Sequence, residues 1–360
     1  MAIYLVLAVS SLLSGVIIYW GKNSAFSKKA YLFFVFVPLI FIAGFRAPSV
    51  GTDTASYIQH FRLISGTPWK ALAQYNMDFG YAVLNKAVSC FTDNPQILLI
   101  LLSIITLSGF AIFIYKNSSN VCISTFLFIA LYQYCTFFNT MRQYTAVMFI
   151  CNAYYYLKSR KSSVFILLVC LAALFHMSAL IFLPVVFFSI IKPRKIWLGA
   201  LAVVGCGLII SFKPLLDLFF RIFPQYAWYQ SAQGYLEPKG IDENIIIWVV
   251  QAILVFLSIS LISRKSELSL REHEVKELYL LSAILIISII LNLLTVQVLI
   301  AHRLNFYFYI FMIIALPKMI QYWGRYTLAL NMTMICCLLL YFYLMLSHNN
   351  HEVVPYQMVL

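Results

Sequence analysis

The feature that most limits this chain's fold is its succession of apolar runs, each closed by a short polar turn. A bilayer core about 30 Å thick asks for about 20 apolar residues in a helix rising about 1.5 Å per residue. The run 96–115 meets that length, and others of similar character recur to the end of the chain. The runs are continuous rather than alternating, which argues against a β-barrel. Composition agrees: 63% of residues are hydrophobic and 10% charged, where soluble domains carry about 45–50% and about 25%. A mean hydropathy of +0.90 leaves no room for a large soluble domain. The expected fold is therefore an all-α polytopic membrane protein, residues 1–360 forming a single integral membrane domain.

About twelve transmembrane helices are expected. They are 2–20, 30–45, 96–115, 121–138, 143–157, a hairpin of two short helices within 163–191 turning at His176, then 196–212, 244–263, 278–296, 303–320 and 327–346. The first run has no basic leader and reads as a retained span. Two long polar stretches, 46–95 and 213–243, are expected as loops on the outer side. Within them 79–92 and the stretch beginning PLLDLFFRIF read as short re-entrant or interfacial helices. This topology puts sixteen Lys and Arg in inside loops and nine outside, of 25 in all. The net charge of +13 then reflects the positive-inside bias, not a nucleic-acid partner. The eight cysteines form no ligand-spaced cluster and read as small core residues.

The outer cations are the informative ones. Arg46 ends a span, Arg142 sits in a four-residue turn between two spans, and Arg303 opens a span after His302. A cation near membrane depth is costly and usually faces a cavity with an anionic partner. Snorkelling to lipid headgroups is the plain alternative for any one of them. Three together point to a cationic cavity, and arginine's planar fork suits phosphate oxygens. The chemical expectation is a phosphate or pyrophosphate ligand.

The stretch Arg46–Arg62, RAPSVGTDTASYIQHFR, concentrates the polar chemistry of the N-terminal part. Asp53 either caps the helix that starts near Thr54 or accepts a proton, and the two roles are compatible. Gly51 reads as a turn residue permitting close backbone approach. Tyr57 and Arg62 lie on the same helix and, with Gln143 and His302, are candidates for substrate contact. His176, in FHMSAL, is either a hydrogen-bonded structural residue or a base or phosphate contact. Tyr132, Tyr134, Tyr144, Tyr307 and Tyr309 crowd near Arg142 and Arg303 in sequence, suited to sugar stacking or to plain packing. No DxD, HExxH, Cys/His cluster, P-loop or GxSxG is present, so neither metal nor cofactor is expected.

FRAPSVGTDTASYIQHF resembles the Arg-x(4)-Gly-x-Asp-x(3)-Tyr signature of the EpsG-like family, which groups with Wzy-type O-antigen and exopolysaccharide polymerases. FFNTMRQYTAVMFI resembles that family's Asn-x-x-Arg-Gln segment, FHMSALIFLP its His-x-Ser-Ala hairpin, and HRLNFYFYIFMIIALP its late Arg-containing span. The four fall in the family's order and cover most of the chain.

The resemblance implies a glycosyltransferase-C-like fold in the bacterial inner membrane, with its active site on the periplasmic face. It also implies a polymerase that joins oligosaccharide units carried on undecaprenyl pyrophosphate, one unit as donor and another as acceptor. Membrane lipid and a chain-length regulator are the other implied partners. In that scheme Arg46, Arg142 and Arg303 would hold the pyrophosphate. Asp53 and His176 would be the catalytic pair, Asp53 being the slightly favoured base. A carboxylate among cations is nevertheless a weak base. A flippase or transporter of lipid-linked oligosaccharide is the alternative. Acidic residues lie in loops rather than in spans, which argues against ion-coupled transport.

Overall fold

A computed structural model describes residues 1–19, 24–74, 77–222 and 245–359. Of the expected outer loop 213–243, residues 223–243 lie outside the described residues, and Lys22 and Lys239 do too. Among the described residues every regular element is helical, and the sole β-type contact is an isolated bridge between Arg46 and Met358. The chain divides into two compact units. One holds Met1–Tyr156, Ser163–Leu180 and Leu316–Leu360; the other holds Leu157–Ser162 and Ile181–Ala315.

The first unit is built on α1 (Ala2–Tyr19), α2 (Ala25–Gly44), α3 (Thr54–Ser65), α4 (Phe79–Ser89), α5 (Gln96–Asn117), α6 (Val121–Ala130), α7 (Gln133–Asn139), α8 (Met141–Lys158) and α9 (Ser162–Phe175). Its central pair is α2 and α5. Leu32, Val35, Leu39 and Ile42 bury one stripe of α2, and Leu98, Leu102, Thr106, Gly109 and Phe113 bury one stripe of α5, the i, i+3/i+4 spacing of a helix face. The opposite face of α2 shows Phe33, Phe34 and Phe41 to the outside, a surface suited to lipid rather than water. Gly109 lets α8 approach, because a Cβ there would collide with the Met148 side chain.

The two helices run antiparallel. Gln96 Nε2 donates to the Gly44 carbonyl at 2.6 Å, while at the far ends Lys29 Nζ lies 5.8 Å from the Tyr115 ring centre. At that far end Lys116 also lies 5.0 Å from the Tyr155 ring. The unit thus has one end carrying Lys29 and Lys116 and another carrying Arg46 and the stretch after it.

Two breaks in the helices shape the second end. The expected span 121–138 bends by 49° between α6 and α7, where Tyr132 takes φ 64°, a left-handed conformation costly for a non-glycine residue. Between α7 and α8 only Thr140 intervenes.

The C-terminal tail then folds back over this end. The Ala47 amide donates to the Gln357 carbonyl and Val359 to Phe45, both at 2.9 Å, and Gly51 donates to Glu352 at 2.9 Å. Tyr132 Oη donates to Asn350 O at 2.6 Å and Tyr4 Oη to Val353 O at 2.9 Å. The start of α1, the loop after α2 and the C-terminus therefore share one end of the unit. Leading into the tail are α16 (Met312–Ile320) and α17 (Thr327–Ser347).

The second unit contains α10 (Val185–Ile190), α11 (Lys195–Ile210), α12 (Phe212–Ile222), α13 (Ile245–Ser263), α14 (Glu272–Thr295) and α15 (Ile300–Tyr309). A closed ring of side chains ties α13, α14 and α15. Gln251 Nε2 donates to Ser288 Oγ (2.8 Å), Ser288 Oγ to Asn305 Oδ1 (2.6 Å), Asn305 Nδ2 to Asn292 Oδ1 (2.6 Å), and Asn292 Nδ2 to Gln251 Oε1 (2.8 Å). All four are buried.

Among the described residues, four helical segments have the length and composition of a membrane span: Ala25–Gly44, Gln96–Asn117, Glu272–Thr295 and Met312–Ser347. The number rises to six if the bent pairs α6–α7 and α11–α12 each count as one. The expected twelve also counts α8 and the shorter apolar helices Ala2–Ile18, Ser162–Phe175, Met177–Ile190 and Ile247–Ser263, and divides the segment after Met312. The stretch beginning Pro214 is helical within α12, which turns 70° from α11. The stretch 79–92 is the 11-residue α4. All eight cysteines are free. Cys135 and Cys151 are core residues as expected, but Cys170, Cys206, Cys336 and Cys337 lie on exposed faces of apolar helices.

Candidate functional site

Arg46, expected to face a pyrophosphate, is fully buried. Its Nε donates to Thr54 Oγ1 at 3.1 Å, Nη2 to Phe138 O at 3.3 Å, and Nη1 to the Ala43 carbonyl. The guanidinium also lies 4.7 Å from the Phe138 ring centre. No carboxylate pairs with it among the described residues. Carbonyl dipoles and a ring face replace water around the cation. Burial pushes its pKa down to about 10, which leaves it charged at neutral pH. With no accessible side-chain surface, Arg46 braces the loop from within. It ties the end of α2 to α3 and α7 and does not present its fork to a ligand.

The loop beyond it is held by Gly51. Its φ is +92°, and a Cβ there would stand 2.6 Å from Asn139 Oδ1. The close approach expected at this glycine is thus to the protein's own Asn139. Asn139 Nδ2 in turn donates to the His351 carbonyl of the tail at 3.0 Å, while its Oδ1 is buried without a partner.

Asp53 precedes α3 with a helical backbone, and its carboxylate makes no capping hydrogen bond. The expected capping hydrogen bond is therefore absent, and among the described residues the half-buried carboxylate is held only by a 3.4 Å contact from Thr52 Oγ1. Four residues on, buried Tyr57 donates to the Asn139 carbonyl at 2.8 Å and accepts from the Met141 amide at 3.0 Å. One hydroxyl thus spans the α7–α8 break, on the residue directly before Arg142. Burial raises the Tyr57 pKa, with Asp53 adding to the rise and Arg142 opposing it. His60 follows one turn later, on the same face of α3.

Arg142 is the second residue of α8, and 30% of its side chain is exposed. Its Nη1 meets Asp78 Oδ2 at 3.2 Å, and its guanidinium carbon lies 5.5 Å from the Tyr81 ring centre. Asp78, 17% exposed, accepts a second hydrogen bond on Oδ1 from the Met177 amide at 3.2 Å. One carboxylate therefore joins Arg142 to the segment of His176. His176 directly follows α9, and its Nδ1 is 2.8 Å from Ser178 Oγ. The chain leaves its helix at the histidine, where the sequence predicts a turn. Tyr81 is fully buried, and burial pushes its pKa up to about 12, with Asn85 and Arg142 opposing the rise.

The structure thus brings Asp53, Tyr57, Arg142 and His176 to one end of the first unit, with Arg46 beneath them. Arg62 lies on the exposed side of α3 and Gln143 is buried in α8. His302 and Arg303 belong to the second unit, on α15. His302 packs edge-on to Phe306 with ring centres 5.0 Å apart, and Arg303 is exposed.

A model of the EpsG family matches residues 29–358. The chain belongs to the EpsG family. No curated protein matches the chain, and no solved structure does. The EpsG match takes in the loop after α2, the α7–α8 break, the His176 turn, α15 and the strapping tail. With the apolar helices, EpsG membership makes this a membrane protein of polysaccharide biosynthesis with a polymerase-like, glycosyltransferase-like role.

Three residues beside Arg142 escape a reading by motif: His60, Asp78 and Tyr81. Asp78 stands in a polar linker and is singled out only by being one of few acidic residues on its side of the chain. His60 and Tyr81 sit on the inner faces of amphipathic helices, where a sequence reads them as packing.

Proposed function

We propose that this EpsG-family protein polymerises lipid-linked oligosaccharide repeat units at the periplasmic face of the bacterial inner membrane. The nascent glycan leaves its undecaprenyl pyrophosphate and joins a hydroxyl on the sugar of a second lipid-linked unit. Membrane lipid surrounds the protein, and a chain-length regulator is its candidate protein partner. The reading carries no metal and no nucleotide sugar. Arginine supplies the positive charge that the departing pyrophosphate requires.

The observation that carries the proposal is the arrangement around Arg142. Its guanidinium is oriented by one carboxylate and one ring, remains partly exposed, and opens a helix whose N-terminus favours anions. Only Nη1 is taken up by Asp78 among the described residues, so the fork can still meet phosphate oxygens. Arg303 is kept as a proposed pyrophosphate contact on the strength of the family resemblance. Arg46 acts on the site through position and charge rather than contact. His176 orients the sugar, and Tyr57, Arg62, Gln143 and His302 contribute to binding or to its framework.

The outer sidedness is supported by the two ends of the first unit. Lys29 and Lys116 share one end, as inside residues should. The loop 46–53, the start of α1 and the C-terminal tail share the other.

Purified protein given a defined undecaprenyl-pyrophosphate-linked oligosaccharide tests the reading. Products of two and more repeats are expected. Transport of the unit between leaflets without any linked product would favour the flippase instead.

A further inference from the structure

We propose that His60 is the catalytic base of this site, a role that rests on the polymerase reading above. In the step, the acceptor hydroxyl oxygen forms a bond to the donor's anomeric carbon. The bond from that carbon to pyrophosphate breaks, and its electron pair stays on the phosphate oxygen beside Arg142. The hydroxyl proton passes to an imidazole nitrogen of His60, which later returns it to water.

Placement supports this. Tyr57 hydrogen-bonds the Met141 amide, one residue before Arg142, and His60 is the next residue along that face of α3. The imidazole is close enough to Arg142 and Asp53 for both to act on its charge. The base therefore stands beside the group that holds the leaving pyrophosphate.

The hydrogen bonding supports it as well. His60 Nδ1 is buried and has no partner, and the ring makes no hydrogen bond to the protein among the described residues. A buried polar atom left unpaired is costly and calls for a cause. A ring held so that its other nitrogen, Nε2, takes the substrate proton is one, since Nδ1 itself is enclosed. His176, by contrast, has its Nδ1 engaged by Ser178. Asp53 is the rival candidate on this face of α3. Its charge on the same face instead favours the imidazolium that forms. Burial and the Arg142 cation keep the resting imidazole neutral, the form that accepts a proton.

The test uses the full chain in lipid nanodiscs with a synthetic undecaprenyl-pyrophosphate-linked oligosaccharide. His60→Asn and His60→Gln should bind it as the wild type does and polymerise it about 10²–10⁴-fold more slowly. Added imidazole should restore at least part of the rate in His60→Gly. Wild-type turnover in His60→Asn, or lost binding without lost rate per bound substrate, would overturn the assignment. So would the reverse pattern, with Asp53→Asn bound but inactive and His60→Asn active, which makes Asp53 the base. If the wild type binds the unit and never links two, the polymerase reading itself fails and the base falls with it.

Discussion

The buried ring of the second unit and the polar cluster of the first are built from similar side chains toward opposite ends. Gln251, Ser288, Asn292 and Asn305 give one another four short hydrogen bonds and close on themselves. Around Arg142 the same kind of polarity stays open. His60 Nδ1 and Asn139 Oδ1 are buried without partners among the described residues, and Arg142 is partly exposed. A satisfied network rigidifies its helices and has nothing to offer a ligand. An unsatisfied one persists where the fold reserves donors and acceptors for something else. In a chain this apolar, that contrast sets the closed ring of the second unit apart from the cluster beside Arg142.

The largest effect should come from emptying the open cluster. Arg142→Ala should lower polymerisation by about 10²–10³-fold or more, the loss seen when a charge-stabilising donor is removed. Arg142→Lys should recover little, since the ammonium lacks the fork. Assays with the lipid-linked unit decide both, and full activity in the lysine variant would remove the bidentate argument. Asp78→Asn should follow with a smaller loss, because Arg142 keeps its charge but loses its orienting carboxylate.

The next two outcomes concern stability. Gly51→Ala forces a side chain onto a φ of +92° and toward Asn139. A cost of about 1–3 kcal/mol is expected, read as a lower unfolding midpoint with the strap loosened. Ser288→Ala opens the closed ring and strands Gln251 Nε2 and Asn305 Oδ1. A loss of about 1–2 kcal/mol is expected, with turnover per folded molecule unchanged. A drop in turnover at constant stability would show that the ring is not purely structural.

Acidity sharpens the comparison further. The imidazole of His60 is held below its ordinary value by burial and Arg142. Activity that needs the neutral ring is therefore full at neutral pH and lost only as pH falls through a value below about 6.5. Ring residues do not titrate and should leave that profile untouched. The smallest effect belongs to Arg62, exposed on the outer side of α3. Arg62→Ala should change stability by no more than about 0.5 kcal/mol, with any functional effect confined to KM.

Membership of the helical membrane class was legible without coordinates, because hydropathy and helical period are local properties written residue by residue. So were the order of the motifs around Arg46, Asp53, Arg142 and His176, and the turn at His176 itself. What the tertiary structure alone decided is which of these groups are enclosed and which stay partly exposed. Arg46 and Arg142 look alike in sequence, yet one is enclosed by Thr54, Phe138 and Ala43 and the other stands partly open beside Asp78. The carboxylate of Asp53 looks like a helix cap and caps nothing. The tail, unremarkable as sequence, straps the loop from more than three hundred residues away. Such contacts join positions that no local window contains. Burial of a charge depends on what folds over it, not on its neighbours in the chain.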